Sequence, residues 1–135
     1  MQNSQHLEIA VVDDDVPTLA LICSMLQALG YQAQAFTCAS ELALARRALV
    51  FHALVLDLSM PDVDGFELIY QLAESQPVEP VIISSGLSSD TKQAARLVCE
   101  SLNIRVLGIL SKPFAKDELA LFLQPYARAL AEPYA

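Results

Sequence analysis

The sequence predicts an α/β domain: a doubly wound, five-stranded parallel sheet of order 2-1-3-4-5, flanked by five helices. Three observations carry that prediction. Apolar runs of about five residues alternate with longer segments of helical period along the whole 135-residue chain. The runs are nearly continuous in apolar character, as in Ala53–Leu56 (ALVL) and Val106–Leu110 (VLGIL), which marks strands buried on both faces. Successive β–α units of this length need right-handed crossovers, and those place helices on both sides of one parallel sheet.

Each element follows from its own residues. Leu7–Val12 (LEIAVV) is a strand stopped by three aspartates. Leu19, Ile22, Leu26 and Leu29 recur at helical spacing, with Asp15 as N-cap, Pro17 in the first turn and Gly30 as the stop. Gln32–Phe36 is less apolar and is placed at a sheet edge; a helix over Ser40–Leu49 follows. Ala53–Leu56 is a fully buried strand that ends on Asp57. Met60–Gly65 (MPDVDG) reads as a loop, and Phe66, Ile69 and Leu72 open the next helix face. Pro80–Ser84 is the fourth strand, Asp90–Leu102 the fourth helix and Val106–Leu110 the fifth strand. A last helix runs from Phe114 through Leu119, Phe122, Leu123 and Tyr126.

Composition bounds the function. The chain reads as a single domain over residues 1–135, with its core over about 7–130. At 54% hydrophobic and 18% charged it can bury enough apolar area to fold, so it is not intrinsically disordered. A net charge of −8 argues against direct nucleic-acid binding and against an anionic membrane surface. Cys23, Cys38 and Cys99 contain no CxxC pair and read as three buried thiols of a reducing compartment, and His6 and His52 form no HxxxH zinc pattern. The first residues lack a basic run followed by an apolar core, so a cytoplasmic location is expected. The uncharged stretch Val16–Ser40 is interrupted by polar residues and reads as a buried helix and strand.

In doubly wound sheets ligands bind beyond the carboxyl ends of the strands. Four of the five strands deliver polar groups there: Asp13, Asp14 and Asp15 from the first, Asp57 from the third, Ser84 and Ser85 from the fourth, Ser111 and Lys112 from the fifth. Like-charged carboxylates about 4 Å apart repel by roughly 4 kcal/mol at an effective dielectric of about 20. Lys112 supplies one compensating charge, and a hard divalent cation such as Mg²⁺ suits the rest.

The motifs VVDDD (Val11–Asp15), VLDLSMPDVDG (Val55–Gly65), IISSG (Ile82–Gly86) and SKPF (Ser111–Phe114), in this order and at strand ends, resemble the receiver domain of two-component response regulators. The resemblance, to the CheY-like family of flavodoxin-like folds, covers about residues 7–130. It implies that Asp57 is the phosphoacceptor, taking a phosphoryl group from a sensor histidine kinase, a phosphotransfer protein or a small donor such as acetyl phosphate. It implies an Mg²⁺ (or Mn²⁺) site in which Asp14 ligates directly, Asp13 acts largely through water, and Asp57 and the backbone carbonyl of Ser59 complete the set. Lys112 would offset charge on the phosphoryl oxygens, Ser85 would be the switch hydroxyl, and Gly86 would leave room for the phosphoryl group. Lys112-Pro113 would be a cis peptide, and Pro61 and Gly65 would shape the loop after the phosphoacceptor. Such a chain is a phosphoacceptor that assists its own phosphorylation and dephosphorylation rather than a conventional enzyme. It acts on a downstream protein or a covalently linked output domain, or through a homodimer.

Two features depart from the family pattern. Ile109 stands where many receivers carry an aromatic that swings inward with the switch hydroxyl, and isoleucine cannot make that swing. Ser85 and Lys112 are 27 positions apart, more than receivers commonly show, which reshapes the face of the fourth helix and fifth strand. The competing reading is a degenerate receiver that docks a partner without being phosphorylated. A phosphohydrolase would want a DxD nucleophile, whereas Leu58 and Ser59 follow Asp57; a flavin phosphate would be repelled by Asp13–Asp15.

Overall fold

A computed structural model of the protein describes residues 7–58, 65–74, 77–86 and 89–131. Along the chain run β1 (Glu8–Val12), α1 (Val16–Ala28), β2 (Gln32–Phe36), α2 (Ala39–Ala45), β3 (Ala53–Asp57), α3 (Gly65–Ala73), β4 (Val81–Ser85), α4 (Ser89–Ser101), β5 (Val106–Ser111) and α5 (Lys116–Ala131). All pairings are parallel and the strand order is β2-β1-β3-β4-β5. β3 and β4 are buried at every residue, as their unbroken apolar character requires, and β2 lies at an edge with its residues exposed or half-buried.

The sheet separates two cores. On one face Leu19, Ile22 and Leu26 of α1 and Leu119, Leu123 and Ala127 of α5 pack on Ile9, Val11, Val55 and Ile82. On the other, Leu42 of α2, Leu68, Ile69 and Leu72 of α3, and Ala95 and Cys99 of α4 pack on Val12, Leu54, Leu56 and Ile83. Alternation along each strand assigns residues to faces, and so fixes where each side chain at a strand end points. α1 starts as its caps dictate: the Asp15 side chain accepts from the Thr18 N–H, Pro17 lies in the first turn, and Gly30 follows with φ 98°.

Several details differ from the expectations. α2 is shorter, stopping at Ala45 with Arg46 as its C-cap; the Arg46 side chain makes a bidentate contact with Glu79, and Leu44, Leu49 and Val50 face outward, so no apolar face continues the helix to Leu49. The uncharged α1 is buried along one side only, since Val16 and Leu21 are exposed. Of the three thiols only Cys99 is fully buried; Cys23 and Cys38 are half-buried. β4 begins at Val81 and takes in Ser85, which pairs with Ser111. α5 begins at Lys116 and carries Pro125 inside it. An irregularity between Val81 and Ile82 leaves Leu107 as an extra residue in β5, so that Gly108 pairs with Ile82. Gly108 lies under the Phe122 ring: a Cβ there would stand 2.3 Å from the Phe122 Cγ, so α5 can sit this close only over glycine.

Candidate functional site

The carboxyl ends of β1 and β3 lie side by side, because Val12 pairs with Leu56 and the next residue of each strand is an aspartate. The ladders continue to the rim: the Asp13 N–H donates to the Phe36 carbonyl, that of Leu58 to Ser84, and that of Lys112 to Ser85. This backbone frame brings Asp13, Asp14 and Asp57 together, with one carboxylate oxygen from each lying within 4.8 Å of the other two. Asp13 and Asp57 are buried, at 1% and 2% exposure, whereas Asp14 faces solvent.

Lys112 crosses from the end of β5 over β4 to reach both buried acids. Its Nζ lies 2.8 Å from the Asp13 Oδ2 and 3.3 Å from the Asp57 Oδ1. Burial alone pulls the ammonium toward neutrality, but its hydrogen bond to Asp13 and the charges of Asp57 and Asp13 outweigh this and hold its pKa above the ordinary lysine value. The Asp13 Oδ1 accepts the Asp15 N–H at 2.9 Å, so both oxygens of Asp13 are fixed. Asp15 is not among the clustered acids; its carboxylate caps α1 by accepting from the Thr18 N–H and hydroxyl. The Thr18 hydroxyl and N–H hold the Asp15 carboxyl below the usual range. The Lys112–Pro113 peptide is cis.

The remaining predicted residues are distributed as follows. Ser85 is buried at the end of β4, on the α4 side, and the space where Gly86 would carry a Cβ is open. Ile109 is half-buried against the α2–α3–α4 core. Gly65 is the first residue of α3. Ser59 and Pro61 lie outside the described residues. Two features at the rim have no counterpart in the sequence motifs. Lys92, in the first turn of α4, donates to the Ser111 hydroxyl, 19 residues away. A cleft of about 260 Å³ lies beside Lys112 between Ile22 and Met25 of α1 and Pro113 and Phe114 after β5.

The donor set is hard oxygen only, three carboxylates against one ammonium. Opposed charge of this kind is balanced by a divalent cation with oxygen coordination, and nothing in the set suits a soft metal. The acidic triad can therefore bind such an ion. Among the described residues no helix is long and apolar enough to cross a membrane.

Comparison with known proteins agrees with this geometry. The model of the response regulator receiver domain family matches residues 9–124. The transcriptional regulatory protein FixJ of Bradyrhizobium diazoefficiens is 29% identical over 127 residues, 94% of this chain and 59% of its own length. Response regulator protein TmoT of Ectopseudomonas mendocina is 27% identical, covering 87% of this chain and 51% of its own. The chain thus spans little more than half the length of these curated relatives. Among solved structures, the BeF3-activated DrrB receiver domain superposes with a TM-score of 0.68 at 29% identity, covering 94% of this chain and 99% of that one. The receiver domain of Francisella response regulator 1452 shares the fold, with a TM-score of 0.78 at 24% identity and coverage of 93% and 99%. A matched segment that runs from β1 into α5, with buried acids and a lysine meeting at the strand ends, makes this chain a member of the response regulator receiver domain family.

Proposed function

We propose that this chain is a single, cytoplasmic receiver domain whose Asp57 accepts a phosphoryl group from the phosphohistidine of a sensor histidine kinase or phosphotransfer protein, or from a small acyl phosphate. The observation that carries this reading is the meeting of buried Asp57 and Asp13 with the Lys112 ammonium at 3.3 and 2.8 Å. An Asp57 carboxylate oxygen attacks phosphorus; the phosphorus–nitrogen bond to the donor imidazole breaks, its electron pair stays on that nitrogen, and an acyl phosphate forms. Asp13, Asp14, Asp57 and the Ser59 carbonyl would hold Mg²⁺, or Mn²⁺, which supplies charge stabilisation to the transferring oxygens.

The chain's own groups do the rest. Lys112 places its ammonium where the phosphoryl charge develops, and its double contact keeps it protonated and oriented beforehand. Ser85, at the end of the strand next to β3, hydrogen-bonds a phosphoryl oxygen after transfer, and the open space at Gly86 admits the group. The cleft beside Lys112 gives a donor protein an apolar foothold next to the acids. A downstream protein or linked output domain then reads the changed surface.

Incubation with acetyl phosphate tests this. Mg²⁺-dependent gain of one phosphoryl group by intact mass, absent in Asp57→Asn, is the expected result. No gain in the native chain, or an undiminished gain in Asp57→Asn, overturns it.

A further inference from the structure

Ser84 is the one buried side-chain polar group among the described residues that finds no hydrogen-bond partner. It is 1% exposed, so bulk solvent does not reach it, and an unsatisfied buried hydroxyl is a net cost to the fold. Its neighbours give no reason for a hydroxyl: Ile82 lies two residues before it on the same strand face and Leu110 pairs with it across β5, both in the apolar α1–α5 core. The other strand partner is different. Ser84 pairs directly with Asp57 on β3, and paired residues of parallel strands send their side chains to one face about 4.8 Å apart.

We propose that Ser84 is a positioning residue of the phosphoryl site, its hydroxyl donating to Asp57 once the site is loaded. This rests on the reading of Asp57 as phosphoacceptor. In the present arrangement the Asp57 Oδ1 faces the Lys112 ammonium, which Asp13 shares. Anionic phosphoryl oxygens compete for that single ammonium, and as Lys112 turns to them the Asp57 carboxyl oxygen that faced it gives up that contact. Ser84 stands next in register, with a donor that is not otherwise engaged. The hydroxyl is thus set aside for the loaded state and idle in the free one.

Ser84→Thr and Ser84→Val separate this from a packing role, since the two side chains share a shape and differ in the hydroxyl. Two readouts are taken on the full chain: melting in chelator, and affinity for beryllofluoride with Mg²⁺ by ¹⁹F NMR. Ser84→Val is expected to melt about 3 °C above Ser84→Thr in chelator, because the idle hydroxyl is gone. It should bind beryllofluoride about tenfold more weakly than Ser84→Thr, which should match the native chain. Equal beryllofluoride affinity in the two variants overturns the proposal, as does a lower melting point for Ser84→Val. Should the branched side chains prevent folding, Ser84→Ala against the native chain gives the same comparison with the same expected ordering. Absence of beryllofluoride uptake by the native chain would strike down the Asp57 reading itself and this inference with it; native uptake with no Thr–Val difference strikes down the role of Ser84 alone.

Discussion

Replacing Lys112 by methionine keeps the stem and removes the charge, leaving two buried carboxylates without their cation. At an effective dielectric of about 20, the contacts at 2.8 and 3.3 Å correspond to gross attractions of about 6 and about 5 kcal/mol. Most of that is not net stability. The free ammonium regains hydration on unfolding, and the Lys112 side chain is 24% exposed, so solvent screens both contacts. Breaking one side of a largely buried pair costs about 3 kcal/mol on this balance. For a chain of this size that is a fall in melting temperature of about 10 °C. The assay is thermal melting of native chain and Lys112→Met, each in chelator and in saturating Mg²⁺. A divalent ion supplies the charge the lysine no longer does, so the deficit should shrink by more than half in Mg²⁺. The pH dependence has a definite sign. The folded pKa of Lys112 is raised, so its contribution is complete below the unfolded lysine value of about 10.4 and is lost as pH rises through the folded value. A deficit below about 1 kcal/mol, or one identical with and without Mg²⁺, would refute the reasoning.

Asp57→Asn should melt higher than the native chain in chelator and gain less from Mg²⁺, because it relieves repulsion among the clustered carboxylates while Lys112 keeps its closer partner Asp13. Asp13→Asn should gain less in the same assay, since it gives up the 2.8 Å contact rather than the 3.3 Å one; the reverse ordering would contradict the geometry. Asp15→Ala should lower the melting temperature at pH 7. The folded pKa of Asp15 is lowered, so that difference is present above the unfolded value of about 3.9 and vanishes as pH falls through the folded one. Gly108→Ala should cost about 1–3 kcal/mol by chemical denaturation, and Phe122→Leu in the same chain should recover part of it, because the added Cβ meets the Phe122 ring.

The strands and their order were legible because all but the edge strand β2 are short apolar runs between strong stops, and Asp15 capping α1 was legible from its place ahead of Pro17 and the helical-period leucines. The acid–lysine cluster was legible too, since strand ends of a parallel sheet converge on one rim and the motifs name the residues there. What escaped depends on contacts between distant positions. The contact that ties the end of α2 to the segment before β4 joins Arg46 to Glu79, 33 residues on. The link from Lys92 to Ser111 joins a helix start to a strand end and has no local signature. Ser84 looked like any polar strand terminus; only pairing with Asp57 and burial distinguish it. Apolar residues also misled where they face outward, as Val16 and Leu21 do.

Borohydride reduction of the chain after acetyl phosphate treatment, followed by peptide sequencing, locates the acyl phosphate by converting its aspartate to homoserine. The account predicts homoserine at position 57, formed with Mg²⁺ and not in chelator. Homoserine at Asp13 or Asp14 instead, or labelling of Asp57 that proceeds equally without a divalent ion, would contradict it.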